Sequence, residues 1–250
     1  MLLFYVRHGD PTYNPDQLTP LGERQAESVA KRLALFGIDK VYASPSKRAM
    51  QTAEPTCELL NIKKTLVPDF DEGRAFTESA TYDENRDEKG LTWPWTHSEL
   101  QGLFLSKEVR DLGNDWYTHE EIRKYGDYKK TADRIGGAID RLLGDHGYHH
   151  DPESGTYTVD PEVLLKNEKG EERIAIFAHE GVGKFLLPHV LDIPVPLFST
   201  HFEISHSSMT VIWIRTFQSG RTSARMLTLS NDSHLYRDGL PLDYRHTIRF

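Results

Sequence analysis

The 250-residue sequence has a single cysteine, Cys57. That excludes an intramolecular disulfide framework and a cysteine-rich zinc site. Cys57 lies in a helical pattern, where it reads as a small packed hydrophobe, and a lone cysteine fits a reducing compartment. Positive charge is also short. Lysine and arginine number 30 against 38 acids, a formal net charge of -8, so the chain as a whole is no match for nucleic acid or an anionic membrane. An anionic ligand would need a local cluster of cations. No apolar run approaches the ~20 residues of a membrane helix. Met1 to Val6 is too short for a signal-peptide core and has no basic segment before it. The expectation is a cytoplasmic protein. No internal repeat, low-complexity tract or linker divides the chain.

What is present is an alternation of short apolar runs and helical patterns. Leu2 to Val6 reads as a strand covered on both faces. Thr19 is a good N-cap with Pro20 at the first helical position; Ala26, Val29, Ala30, Leu33 and Phe36 share a face, and Gly37 is a stop. Lys40 to Ala43 is a second strand, and Ser46 caps a second helix that Pro55 is expected to kink or restart. Leu66 to Phe70 reads as a third strand. Helical spacing returns from Tyr128 to Leu143. Ile174 to Ala178, Met209 to Ile214 and Arg225 to Leu229 complete the strands, and the tail from Leu235 to Phe250 is expected to pack on the surface. This order predicts an α/β three-layer sandwich, a mostly parallel central sheet with helices on both faces, in one domain spanning 1–250.

One stretch breaks the alternation. About residues 73–127 are charged and aromatic with weak periodicity, and "TESATYDENRDEKG" reads as exposed and mobile. Trp93, Trp95 and Trp116 fall in this segment. A lid or substrate wall and a small core under the loops are equally good readings. "HGYHHD", His146 to Asp151, could suggest a metal site, but reads better as an exposed polar excursion.

Two strands end in histidine, "FYVRHG" at His8 and "IAIFAHEG" at His179, and each passes into a turn and a helix. Strand carboxyl ends of an open α/β sheet share the edge where ligands bind. "YASPSKRAMQTA" sets Arg48 in the first turn of a helix, whose free N–H groups and positive dipole end suit an anion. With Arg7 at the neighbouring strand end, a phosphate pocket is the better reading than two surface arginines.

These segments resemble the histidine phosphatase superfamily, which includes the cofactor-dependent phosphoglycerate mutases and fructose-2,6-bisphosphatase. "VRHGDPTYN" is similar to its Arg-His-Gly opening with a downstream asparagine, Asn14. "LTPLGERQA", "VYASPSKRAMQTAEP", "FAHEGV" and "LTLSNDSHL" follow in the family's order. The resemblance implies that His8 is a nucleophile that forms a phosphohistidine on a phosphomonoester. Arg7 and Arg48 should bias its ring toward the neutral, attacking form. Arg7, Arg48 and His179 would hold the phosphoryl oxygens, with Gly9, Asn14 and Glu180 as further substrate contacts. No metal and no cofactor are implied. The general acid implied for the cytoplasmic branch is Glu72 in "VPDFDEGRAF", with Asp69 and Asp71 as neighbours. Glu180 is the rival, because the acid-phosphatase branch carries an acid beside its second histidine. Asp10-Pro11 replaces the commoner Glu-Thr and should alter the loop more than the chemistry. The expected activity is hydrolysis of a small-molecule phosphomonoester. The alternatives are a mutase-type phosphotransferase or a non-catalytic phosphate-binding module.

Overall fold

The computed structural model describes residues 1–85, 90–167, 170–215, 217 and 219–242. The principal elements in chain order are β1 (Leu2–Arg7), α1 (Pro20–Phe36), β2 (Lys40–Ala43), α2 (Lys47–Leu60), β3 (Lys64–Leu66) and α3 (Glu72–Ser79). After the aromatic segment come α4 (Tyr128–Asp145), the hairpin β4 (Tyr148–Asp151) and β5 (Thr156–Val159), β6 (Arg173–Ala178), α5 (Glu180–Leu191), β7 (Met209–Ile214) and β8 (Ala224–Asn231).

The central sheet has six strands in the order β8-β7-β1-β6-β2-β3. The β1–β6, β6–β2 and β2–β3 pairings are parallel, and β7 and β8 are antiparallel additions at one side. Side chains alternate across β1. Phe4 and Val6 enter a core shared with Val29 and Leu33 of α1 and Ala53 and Cys57 of α2. Leu3 and Tyr5 enter the larger core on the other face, with Ile135 and Ile139 of α4 and Phe185 and Leu186 of α5. Burial on both faces explains why β1 and β6 are continuous apolar runs.

Local signals act where expected at α1, whose Thr19 side chain accepts from the Gly22 N–H. Elsewhere tertiary packing corrects the reading. Residues 66–70 are not a strand: β3 ends at Leu66 and Pro68–Phe70 form a 3-10 turn, because Pro68 cannot donate to a ladder. Helix α2 runs through Pro55 without a restart. Ser46 precedes it but makes no side-chain cap bond.

The segment 73–127 sends a series of apolar side chains into the core while much of the rest is exposed. Trp95, Leu100, Phe104, Val109, Trp116 and Ile122 are all buried and contiguous with the α4–α5 side of the sheet. Trp116 stacks on Tyr128 of α4 with centroids 5.7 Å apart. The stretch expected to be exposed contains the end of α3 and a short strand, Thr81–Asp83, with Thr81 and Asp83 buried; its residues 86–89 lie outside the described residues. Asp83 is buried because its carboxylate accepts from the Ser98 N–H and hydroxyl and the Asn85 N–H. "HGYHHD" is likewise not a simple exposed excursion. It contains β4, and the His146 and His150 side chains are 9% and 2% exposed. Part of the tail, 243–250, falls outside the described residues. Among the described residues, no helix is long and apolar enough to cross a membrane.

Candidate active site

Strand pairing assembles the site. β1 and β6 lie side by side in parallel, with Arg7 opposite Ala178. The next residue of each strand is therefore a histidine at the same edge, and the His8 N–H donates to the Ala178 carbonyl at 2.9 Å. The two imidazoles are 5.1 Å apart between centroids. Both are buried, 1% and 0% exposed. From the adjacent β2 end, Ser44 Oγ lies 2.7 Å from His179 Nε2.

The nucleophile candidate is oriented by its own backbone. His8 Nδ1 lies 2.7 Å from the Gly9 carbonyl. A carbonyl can only accept, so Nδ1 carries the proton and Nε2 keeps its lone pair. Burial pushes the His8 pKa well below the ordinary value, and His179, Arg7, His206 and Arg48 push it further down. His179 is lowered in the same way, by burial first and then by Arg48. Both rings are neutral at physiological pH.

The two guanidinium groups are held by carboxylates. Arg48 donates to Asp16 and Glu72, each at 2.8 Å. Arg7 pairs with Glu180 at 2.7 Å, lies 2.8 Å from His206 Nε2 and donates to the Ile204 carbonyl. The Nε atoms of both arginines are buried and make no hydrogen bond, which leaves each group a spare donor. Glu72 sits between the elements. One oxygen accepts from the Gly181 N–H at 3.0 Å, and the other is 3.4 Å from His179 Nδ1. A Glu72 oxygen and nitrogens of His8 and His179 all lie within 4.8 Å of one another. Arg7 and Arg48 beside this cluster make it fit an anion better than a cation.

The two rival carboxylates are thereby distinguished. Glu72 reaches both histidines. Glu180 pairs with Arg7 and with Lys184 at 3.2 Å, and shares a hydrogen bond with Glu203. Burial favours its neutral form, but Arg7, Glu203 and Lys184 outweigh that and hold Glu180 well below the usual carboxylate range. Its partner Glu203 is pushed up by burial and by the shared bond.

The structure thus brings His8, His179, Arg7, Arg48, Glu72 and Glu180 together. Asn14 is exposed in the turn between the short strands Pro11–Tyr13 and Asp16–Leu18. The Gly9 N–H is committed to Thr52 Oγ1 at 3.0 Å, and a Cβ at Gly9 would stand 2.6 Å from the Gly22 carbonyl oxygen. Gly9 accordingly lets the loop press against α1. Asp10 braces the same loop, accepting from the Thr19 hydroxyl and donating its N–H to Gln25.

Sequence reasoning missed His206, Ser44 and Asp16. His206 is buried with its ring 5.2 Å from that of His8, yet it precedes an antiparallel strand rather than a helix, so the strand–turn–helix signal passes over it. The available clue was a polar run, "SHSS", directly before the apolar β7. The closing motif "LTLSNDSHL" holds that run in place. Ser230 Oγ accepts from the Ser205 N–H, and His234 Nε2 reaches the Ser207 carbonyl at 2.9 Å. The Ser207 N–H in turn meets the carbonyls of Arg7 and His8.

Residues 3–106 match the sequence profile of the histidine phosphatase superfamily, branch 1. A 2-carboxy-D-arabinitol-1-phosphatase from Triticum aestivum is 37% identical over 76 residues, a match covering 26% of this chain and 15% of the wheat protein. The fold is similar to that of a mycobacterial glucosyl-3-phosphoglycerate phosphatase (TM-score 0.57, 16% identity, 92% of this chain and 98% of the other). It is also similar to a phosphoserine phosphatase from Entamoeba histolytica (TM-score 0.52, 16% identity, 94% and 98%). The matched segment, residues 3–106, is similar to the histidine phosphatase superfamily and holds Arg7, His8, Arg48 and Glu72, while His179 lies beyond it, directly after β6.

Proposed function

We propose that the protein hydrolyses small-molecule phosphomonoesters through a phosphohistidine on His8. The observation that carries this is the orientation of His8, a buried neutral ring whose Nε2 lone pair is kept free by the Nδ1–Gly9 bond. The phosphoryl group is drawn in by Arg7 and Arg48, whose spare Nε–H groups offer donors to its oxygens. Nε2 forms a bond to phosphorus as the ester P–O bond breaks in line with it. The departing oxygen takes a proton from the Glu72 carboxylic acid. Water then attacks the phosphohistidine, gives its proton back to Glu72, and releases inorganic phosphate and free His8. The positive charge needed in transfer comes from the two arginines, with His179 as a neutral hydrogen-bonding neighbour. The proposed reaction uses no cofactor.

The relatives named above are phosphatases of small phosphorylated compounds, which favours hydrolysis over phosphoryl transfer between positions of one molecule. A screen over sugar phosphates, nucleotides and phosphoamino acids, with His8→Ala as blank, tests the reading. The expected result is phosphate release by the wild type and an acid-labile label on His8 after rapid quenching with a labelled substrate. No label across the panel would remove the catalytic reading. Rapid interconversion of 3- and 2-phosphoglycerate in the presence of bisphosphoglycerate would replace hydrolysis by mutase activity.

A further inference from the structure

A second pair of histidines, His150 and His189, lies at the far end of α5 from His179. Asp140 projects from α4, His150 from β4 and His189 from the last turn of α5. His189 Nε2 is 2.9 Å from both Asp140 oxygens, and His150 Nδ1 is 3.3 Å from Asp140 Oδ1. One ligand-capable atom from each of the three falls within a 4.8 Å group. The edge of a tetrahedron around zinc, for bonds of about 2.0–2.1 Å, is about 3.3 Å. The spacing therefore needs little change to accept an ion.

Three further observations point the same way. His150 Nε2 is 2.9 Å from Asp192 Oδ2 at the C-cap of α5. That carboxylate fixes the ring with its Nε2 protonated, and a metal-binding histidine is commonly oriented by such an outer carboxylate. Asp140 Oδ1 then stands 3.3 Å from Nδ1. This atom is buried, makes no hydrogen bond, and belongs to a side chain 2% exposed. The ring is clamped against Tyr157, with centroids 4.9 Å apart and planes 22° apart. Thirdly, α4 makes room for the other imidazole: a Cβ at Gly136 would stand 2.7 Å from two atoms of the His189 ring. The two carboxylates, Asp140 and Asp192, hold positive charge at this place, and a dication would take the position of the ring protons that now face Asp140. The cluster also borders a cavity of about 390 Å³, lined by Asn114, Trp116 and Phe185 among others, which offers a water or another small ligand access to an open fourth position.

We infer that Asp140 Oδ1, His150 Nδ1 and His189 Nε2 form a binding site for one divalent transition-metal ion of the zinc class, with Asp192 orienting His150. Soft thiolates are absent from this set, and the pair of imidazoles with a carboxylate favours such an ion over calcium or magnesium. Binding ties α4, the β4–β5 hairpin and α5 together, three elements of the larger core. To bind, His189 must present Nε2 unprotonated, so its ring takes the Nδ1–H form.

The test is a Co²⁺ titration of chelator-stripped full-length protein, read by visible absorption, with Zn²⁺ competition and thermal unfolding. The expected result is one equivalent bound with the intense visible bands of a low-coordinate site, displaced by Zn²⁺, and a Tm raised by several degrees. His189→Gln and Asp140→Asn should each weaken binding at least tenfold, and His8→Ala should keep the full equivalent. Absence of binding at millimolar Co²⁺ overturns the inference. So does retention of the bands in both cluster variants, or their loss in His8→Ala, which would place the ion among His8, Glu72 and His179. Should either cluster variant misfold, the wild-type titration and its comparison with His8→Ala still decide the matter.

Discussion

Helix α5 has histidines at both ends, and the charges around them are of opposite sign. At its N-terminus, His179 and His8 are surrounded by Arg7 and Arg48, and both rings are held neutral. At its C-terminus, His150 faces Asp140 and Asp192. There burial also disfavours the charged ring, but the two carboxylates prevail and raise its pKa to about 9. The His150 side chain, like those of His8 and His179, is largely out of solvent; the sign of the neighbouring charge differs. One end is prepared for an anion and the other for a cation, and the helix dipole agrees with both, being positive at the first and negative at the second.

The largest break in this comparison comes from removing the nucleophile. His8→Ala should lower phosphatase kcat by at least ~10³-fold, since it removes the proposed nucleophile. Steady-state assays on the best substrate of the screen measure it, and residual activity within tenfold of wild type would mean that another group attacks.

The carboxylates come next. Glu72→Gln should lower kcat by ~10²–10³-fold on alkyl phosphates and much less on an aryl phosphate with an acidic leaving group, because only the former needs the proton. Glu180→Gln should act mainly on KM, by ~10-fold or less, because Glu180 is engaged with Arg7 and Lys184. The reverse pattern would make Glu180 the acid.

The pH dependence sharpens the anion end. Since the folded pKa values of His8 and His179 are depressed, the rings bind protons less readily than in the unfolded chain. Their contribution to stability is complete above the ordinary histidine pKa of ~6.5 and is lost as pH falls toward the depressed values. The attacking form of His8 persists over the same window. The acid limb of kcat/KM for the free enzyme should therefore contain no histidine ionisation near ~6.5. A His8 ring titrating near ~6.5 by NMR in the free enzyme would show it to be unperturbed.

The anion end was more legible in the sequence than the cation end, for a physical reason. His8, Arg7, Arg48 and His179 sit at the carboxyl ends of parallel strands and in the turns that follow, so local pattern and sheet topology place them together without knowledge of packing. Glu72 needed the family resemblance to be chosen from three neighbouring acids, and His206 was missed because its position depends on a loop braced from β8. The fold was readable where strands are buried on both faces. It was misread at residues 66–70 and in the aromatic segment, where single prolines and long-range packing decide the outcome. Trp93, Trp95 and Trp116 could not be assigned from spacing. The structure puts Trp95 and Trp116 in the core and leaves Trp93 half-buried, stacked on Trp95 and pressed against Gly181 beside Glu72. The cation end joins α4, β4 and α5, separated by up to 49 residues between Asp140 and His189, and no periodicity announces that junction.

A matched pair of small substitutions tests the independence of the two ends. Glycine stands against a ring at each: Gly181 beneath Trp93 and Gly136 beneath His189. A Cβ at Gly181 would be 2.4 Å from the Trp93 ring and 3.1 Å from Glu72 Oε1. A Cβ at Gly136 would meet only the His189 ring, at 2.7 Å. Glycine to alanine inside a helix favours folding by up to ~1 kcal/mol, whereas forcing a methyl into a packed contact costs about 1–3 kcal/mol. The clash should win at both positions, by ~1 kcal/mol at Gly136, because Asp140 restrains His189 from swinging away. Thermal unfolding should show a modest loss of Tm in each variant. Activity should separate them: Gly181→Ala displaces Glu72 and should lower kcat tenfold or more, whereas Gly136→Ala acts on an imidazole remote from the phosphate pocket and should change kcat less than twofold. Equal losses of kcat in the two variants would mean that α5 transmits a change at one end to the other, and the two histidine clusters would then have to be treated as one coupled system.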